Sequence, residues 1–121
     1  MQEEIQYIAA KADQDAFAFS GQKCSAQSIL FVHENWEENT ELLRLIKERA
    51  ASRTLEDLTV GPVLSVDNDQ MAAHVASVLA LDGAELLFGG KPLSGHDIPS
   101  CYGAFEPTAI HVPIETIVRD Q

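Results

Sequence analysis

Cys24 stands in the run Ser20-Gly21-Gln22-Lys23-Cys24-Ser25-Ala26, among small and polar residues just past an apolar helical pattern. A thiol buried for packing usually has Val, Leu or Phe beside it, whereas Gly21 and Ser25 leave room for a second molecule to approach the sulfur. The chemistry on offer is nucleophilic addition. A thiol with a pKa of about 8.5 is only a few per cent thiolate at neutral pH, yet it remains strongly nucleophilic. Lys23 is the adjacent cation, but neighbouring side chains often diverge, so no activating role is assigned to it. Cys101, beside Tyr102 in a polar loop, is read as incidental.

Other groups carry less. His33, His74, His96 and His111 are scattered over expected strands, a helix and a loop, and neither cysteine has CxxC or Cys/His ligand spacing, so no metal site is indicated. Glu106 sits beside Pro107 on an expected strand and is given a structural role. Glu34, Glu37, Glu38 and Glu41 suit the first turns of a helix, where negative charge favours the dipole. Gly89-Gly90 follows a strand pattern and makes a turn, and no glycine-rich phosphate loop occurs elsewhere. Trp36 packs at a helix entry.

These residues need elements to position them. Ile5, Ile8, Ala9, Ala12, Ala16 and Phe19 recur at three- and four-residue steps, which predicts a helix over 3–19 ended by Gly21. Its apolar circumference near that end predicts a place between layers. Residues 28–33 (SILFVH) have the composition of a central strand buried on both faces. Asn35 with Glu38, or Asn39, is expected to cap a helix that carries Leu42, Leu45, Ile46 and Arg49 to about Ser52. Gly61-Pro62 forms a turn-bearing connector. Asp67 with Gln70 caps a further helix through Met71, Val75, Val78 and Leu79, stopping by Gly83. Residues 84–88 and 104–112 are expected strands, the second kinked or confined to an edge by Pro107. The order implies an α/β layer architecture in a single domain, 1–121, with no internal repeat.

Composition bounds the rest. A chain of 121 residues buries roughly two thirds of its extended surface, enough for one core. Its 45% hydrophobic and 22% charged residues are globular proportions, and no stretch approaches the roughly 20 apolar residues of a membrane span. Nineteen acidic residues against eight basic ones give a net charge of −11, which repels phosphate backbones and anionic lipid over about one Debye length. Nucleic acid and membrane are therefore not expected partners. The amino terminus lacks the basic or Arg-rich character of a targeting peptide.

With these motifs in place, the chain resembles part of the catalytic domain of the aldehyde dehydrogenase superfamily. The thiol after a Gly-Gln pair, Gly61-Pro62, Leu86-Leu87-Phe88-Gly89-Gly90 and Glu106-Pro107-Thr108 stand in that family's order. More narrowly, Asp13-Gln14-Asp15-Ala16, the segment 20–28, Phe31-Val32-His33-Glu34-Asn35-Trp36, Leu55-Glu56-Asp57-Leu58-Thr59 and Pro113-Ile114-Glu115 are similar to the pyrroline-carboxylate dehydrogenase branch. The resemblance implies helices packed on a mainly parallel sheet, with the nucleotide-binding domain absent from this chain. It implies oxidation of glutamate semialdehyde to glutamate in proline catabolism, through a cysteine thiohemiacetal and thioester with NAD as cofactor. Cys24 maps onto the nucleophile, its backbone N–H onto part of the oxyanion hole, and Ser25 onto a contact with the substrate carboxylate.

The same resemblance implies a homo-oligomeric full-length enzyme, a small-molecule aldehyde as partner and the mitochondrial matrix as location, with the cytoplasm otherwise. The family's cofactor-binding and thioester-hydrolysing residues have no counterparts in these 121 residues. The chain alone is therefore expected to be an inactive fragment. Two readings compete with this one: a noncatalytic α/β binding or interaction module, and a stand-alone cysteine enzyme, which lacks a partner base.

Overall fold

Ile5, Ala9 and Ala12 recur at helical steps, and in the computed structural model, which describes residues 2–39 and 41–119, they form the buried face of α1 (Gln2–Phe17). They pack against Leu42, Ile46 and Ala50 of α3 (Leu42–Ala51). Alanines at these positions carry no long side chain between the two helices. Beside this face Asp13 is buried, and it takes both ends of a guanidinium fork: Arg53 Nε donates to Oδ1 at 3.1 Å and Nη2 to Oδ2 at 2.9 Å. The third nitrogen, Nη1, donates to the carbonyl of Thr59 at 2.7 Å.

Thr59 itself closes a turn over 54–59. Thr59 N donates to Thr54 O at 3.1 Å, Thr54 N to Thr59 Oγ1 at 2.8 Å, and Thr54 Oγ1 to Asp57 Oδ2 at 2.9 Å. The chain divides into two units, Met1–Gly61 and Pro62–Gln121, each with its own core. The boundary falls inside the Gly61-Pro62 connector.

Several expectations for the first unit need correction. Residues 28–33 form no strand: no partner among the described residues supplies a ladder, and Ile29 and Phe31 are 59% and 70% exposed. Composition makes a strand possible, but only a neighbouring backbone makes one real. The helix expected from residue 35 or 39 is broken into α2 (Glu34–Asn39) and α3. Asn35 lies inside α2, and its N–H donates to His33 Nδ1 at 3.1 Å, so an imidazole does the capping. The expected cap at Asn39 is not used, since Asn39 is the last residue of α2. Finally, α1 is buried along one stripe, not around its circumference, and Tyr7 is exposed.

In the second unit, α4 (Asn68–Leu79) begins with the expected capping box, Gln70 N donating to Asp67 Oδ1 and Asp67 N to Gln70 Oε1, both at 2.9 Å. The sheet is two strands, β1 (Glu85–Phe88) and β2 (Ala109–His111), and they run antiparallel. A mainly parallel sheet is thus not what these residues form. Glu85 faces His111, Leu86 faces Ile110, and the register shifts before Phe88 meets Ala109. The strand expected over 104–112 is interrupted at Pro107, which has no N–H to donate. Upstream of it, Phe105 makes only an isolated bridge with Pro92.

Val63, Ala104 and Phe105 form the core of this unit, and Ala104 N donates to Asn68 Oδ1 at 2.8 Å. A helix the sequence reading did not anticipate, α5 (Ile114–Arg119), starts on the carbonyl of Pro113 and is held by Thr116 Oγ1 donating to Asp82 O at 2.8 Å.

Two consequences can be measured by urea unfolding followed by helical circular dichroism. Asp13→Ala strands a buried guanidinium and is expected to cost about 3 kcal/mol. Gly89 has φ +78°, and a Cβ there would lie 2.2 Å from Pro107 O, so Gly89→Ala is expected to cost more than about 1 kcal/mol.

Candidate functional site

Beyond Phe17, α1 does not simply stop. Phe19 (φ 53°), Ser20 (φ 54°) and Gly21 (φ 73°) are three successive left-handed residues, within a short turn over Ala18–Gly21. Glycine takes this conformation freely, but for other residues it is costly and persists only where something holds it. Here several contacts do. Ser20 Oγ donates to Gly61 O at 2.8 Å and accepts from Gly61 N at 3.1 Å. Phe19 O accepts from Gln22 N at 3.2 Å and from Gln22 Nε2 at 2.9 Å. The Lys23 ammonium lies 4.7 Å from the centroid of the Phe19 ring.

Next comes a β-turn, closed by Ala26 N donating to Lys23 O at 3.0 Å, with Cys24 and Ser25 as its two central residues. Gln27 N then donates to Asp15 O at 2.9 Å, returning the chain to α1. Cys24 is a free, exposed thiol and Ser25 is exposed beside it. Among the described residues no hydrogen bond or ion pair engages the Cys24 side chain, and none uses its backbone N–H. The sulfur can therefore be reached, and the N–H next to it can still donate.

The other candidates are placed elsewhere. Cys101 is also free and exposed, in the loop before the buried Gly103. His96 is fully employed by its own loop: its Nε2 lies 3.0 Å from Leu93 O, and Ile98 N donates to its Nδ1 at 3.2 Å. His33 is the cap of α2. Glu106 accepts through its main-chain carbonyl from Thr108 Oγ1 at 2.8 Å. Glu41, 2.7 Å from Arg44, raises that guanidinium above its ordinary value by hydrogen bond and charge, and Glu48 adds to it. This is a solvated helix face. No group of three or more His, Cys, Asp or Glu among the described residues is placed to hold a metal ion.

Two open concavities occur within the first unit. One, of about 290 Å³, is bounded by Ile8, Leu30, Phe31, Val32, His33, Trp36 and Leu42. The other, of about 270 Å³, lies along Leu45, Glu48 and Arg49 of α3. Neither includes Cys24 or Ser25. Trp36 thus lines a groove, which its reading as a packing residue at a helix entry did not foresee.

Gly89-Gly90 is the only paired glycine in the sequence, and its space and the Gly90 donor are spent internally. Pro107 O and Thr108 occupy the Cβ side of Gly89, and Gly90 N donates to Thr108 Oγ1 at 2.8 Å. No N–H cradle for a pyrophosphate remains there.

Sequence reasoning missed Ser20, Gly61 and Asp15 as supports of the thiol turn. The available signal was weak: a serine before Gly21, and a Gly-Pro pair that restricts the backbone.

Comparison with known protein families matches residues 2–113 to the aldehyde dehydrogenase family. The chain is 57% identical over 118 residues to the mitochondrial delta-1-pyrroline-5-carboxylate dehydrogenase 12A1 of Arabidopsis thaliana, covering 98% of this chain and 21% of that protein. It is 59% identical over 116 residues to a protein of Linum usitatissimum named "Probable aldehyde dehydrogenase", covering 96% of this chain and 21% of that one. The chain thus spans about a fifth of the length of the curated relatives it matches.

Gly21 tests the turn. With φ +73° and Ala16 O only 3.3 Å from where a Cβ would stand, Gly21→Ala is expected to cost about 1 kcal/mol in urea unfolding.

Proposed function

The chain belongs to the aldehyde dehydrogenase family, and from that membership we propose that its 121 residues are the thiol-bearing part of the catalytic domain of an NAD-dependent glutamate semialdehyde dehydrogenase. The observation that carries this reading is the exposed Cys24 at the centre of a turn pinned on both sides, with an unengaged N–H beside the sulfur. The choice of substrate is supported by the likeness to the Arabidopsis enzyme.

Cys24 Sγ, as thiolate, gives a lone pair to the aldehyde carbon. A C–S bond forms and the carbonyl π pair moves to oxygen, giving a tetrahedral thiohemiacetal oxyanion. The Cys24 N–H is the donor this chain can aim at that oxygen. The Ser25 hydroxyl is assigned to the substrate carboxylate. The addition is the step we assign to this chain. Oxidation of the adduct and hydrolysis of the thioester are assigned to segments outside these 121 residues. A mitochondrial, homo-oligomeric enzyme acting in proline breakdown is the setting in which we place it.

The competing reading, a noncatalytic interaction module, draws on the exposed Ile29 and Phe31 and on the groove they adjoin. Limiting iodoacetamide at neutral pH, with modified peptides quantified by mass spectrometry, separates the two. Cys24 is expected to label at least about fivefold faster than Cys101, and equal slow labelling favours the interaction module. The purified chain is expected to form no NADH from glutamate semialdehyde. Saturable NADH production would overturn its status as part of an enzyme.

A further inference from the structure

Ser20 lies four positions before the thiol and is half-buried, and its hydroxyl both donates to and accepts from the backbone of one distant residue, Gly61. That arrangement is unusual for a serine in a turn, where water or the local backbone normally suffices. The residue also carries a backbone that opposes it. Left-handed geometry is costly for a non-glycine residue, and Phe19 and Ser20 both adopt it. Without retention the segment would relax toward ordinary helix or extended backbone, and the thiol turn would swing with it.

The partner is well chosen. Gly61 precedes Pro62, and a residue before proline is held out of the helical region, so the peptide that Ser20 grips has restricted freedom. Downstream of Cys24 the opposite anchor is Gln27 N on Asp15 O. The sulfur is therefore suspended between two fixed points, and Ser20 supplies the one that depends on a side chain.

We propose that Ser20 is a positioning residue for the Cys24 thiol, its hydroxyl clamping the left-handed turn onto Gly61 and so fixing where the sulfur is presented. This inference rests on the reading of Cys24 as nucleophile for its functional meaning, but not for its geometry. It touches no reacting atom itself. What it controls is the order of the turn, which an addition reaction needs because misplacement by an ångström is costly in rate.

The test uses the ¹⁵N-labelled chain. Ser20→Gly removes the hydroxyl while easing the left-handed backbone, and Ser20→Ala, which removes it without glycine's added freedom, is expected to give the same changes. In Ser20→Gly the amides of Gln22 and Ala26 are expected to exchange about tenfold faster, with the α1 and α3 amides unchanged. The Cys24 N–H order parameter is expected to fall from about 0.85 to below about 0.6. Gly61→Ala, where a Cβ would meet open space, keeps the clamp and is expected to leave all of these values as in the parent.

An unchanged order parameter at Cys24 in Ser20→Gly overturns the proposal. Should that variant not fold, the parent chain decides. The acceptor for Gly61 N–H is Ser20 Oγ, so a Gly61 amide exchanging at the unprotected rate equally overturns it, and clear protection supports it. Cys24 labelling no faster than Cys101 removes the nucleophile reading and leaves the clamp measurements standing, so the two failures can be told apart.

Discussion

Asp13 and Arg53 are both largely withdrawn from water, with side chains 10% and 11% exposed, and each can remain so only while the other satisfies it. A lone buried charge is strongly unfavourable, so the pair acts as a geometric constraint more than as a source of net stability. Its fork joins the last turns of α1 to the second residue past α3, and its third nitrogen reaches Thr59. Two chain segments are thereby set against each other. One leads from α1 into Ser20 and Cys24, the other from Thr59 through Val60 to Gly61. The Ser20 to Gly61 contact spans the ends of these two segments.

Helix packing supplies the platform on which this works. Small residues at Ala9, Ala12 and Ala50, set among Ile5, Leu42 and Ile46, leave little bulk between α1 and α3. Asp15 then stands at a fixed place on α1, and its carbonyl receives Gln27 N. The thiol turn is held by backbone groups on one side and a serine hydroxyl on the other, while Cys24 and Ser25 point their chemistry outward. Neither the groove beside Trp36 nor the concavity along α3 includes the sulfur. The described residues leave the Cys24 thiol exposed.

Elements governed by local signals were legible in advance. The α1 periodicity, the Asp67/Gln70 capping box and β1 closed by Gly89-Gly90 all depend on residues within a few positions of one another. The exposure of Cys24 also followed from its small, polar neighbours. Residues 28–33 show the limit of such reasoning, for their composition is that of a buried strand and no partner among the described residues pairs with them. The α2/α3 break was hidden for a related reason. His33 as a cap is not a common signal, and the acidic run 34–41 looks continuous with the helix that follows. In α5, Pro113 before an acidic first turn was a usable signal that the strand reading of 104–112 obscured.

By itself the sequence determined which groups are available: a thiol among small and polar neighbours, a serine beside it, no phosphate-binding glycine loop, and a family resemblance that the comparisons bear out. Only the tertiary structure decided how that thiol is held. The Ser20 to Gly61 and Arg53 to Asp13 contacts each bridge about forty positions, and no local pattern encodes which hydroxyl or guanidinium will find which partner. Antiparallel pairing of β1 with β2 is of the same kind. Local composition settles what a segment can become, but hydrogen bonds between distant segments form only after packing has placed them, and packing is a property of the whole unit.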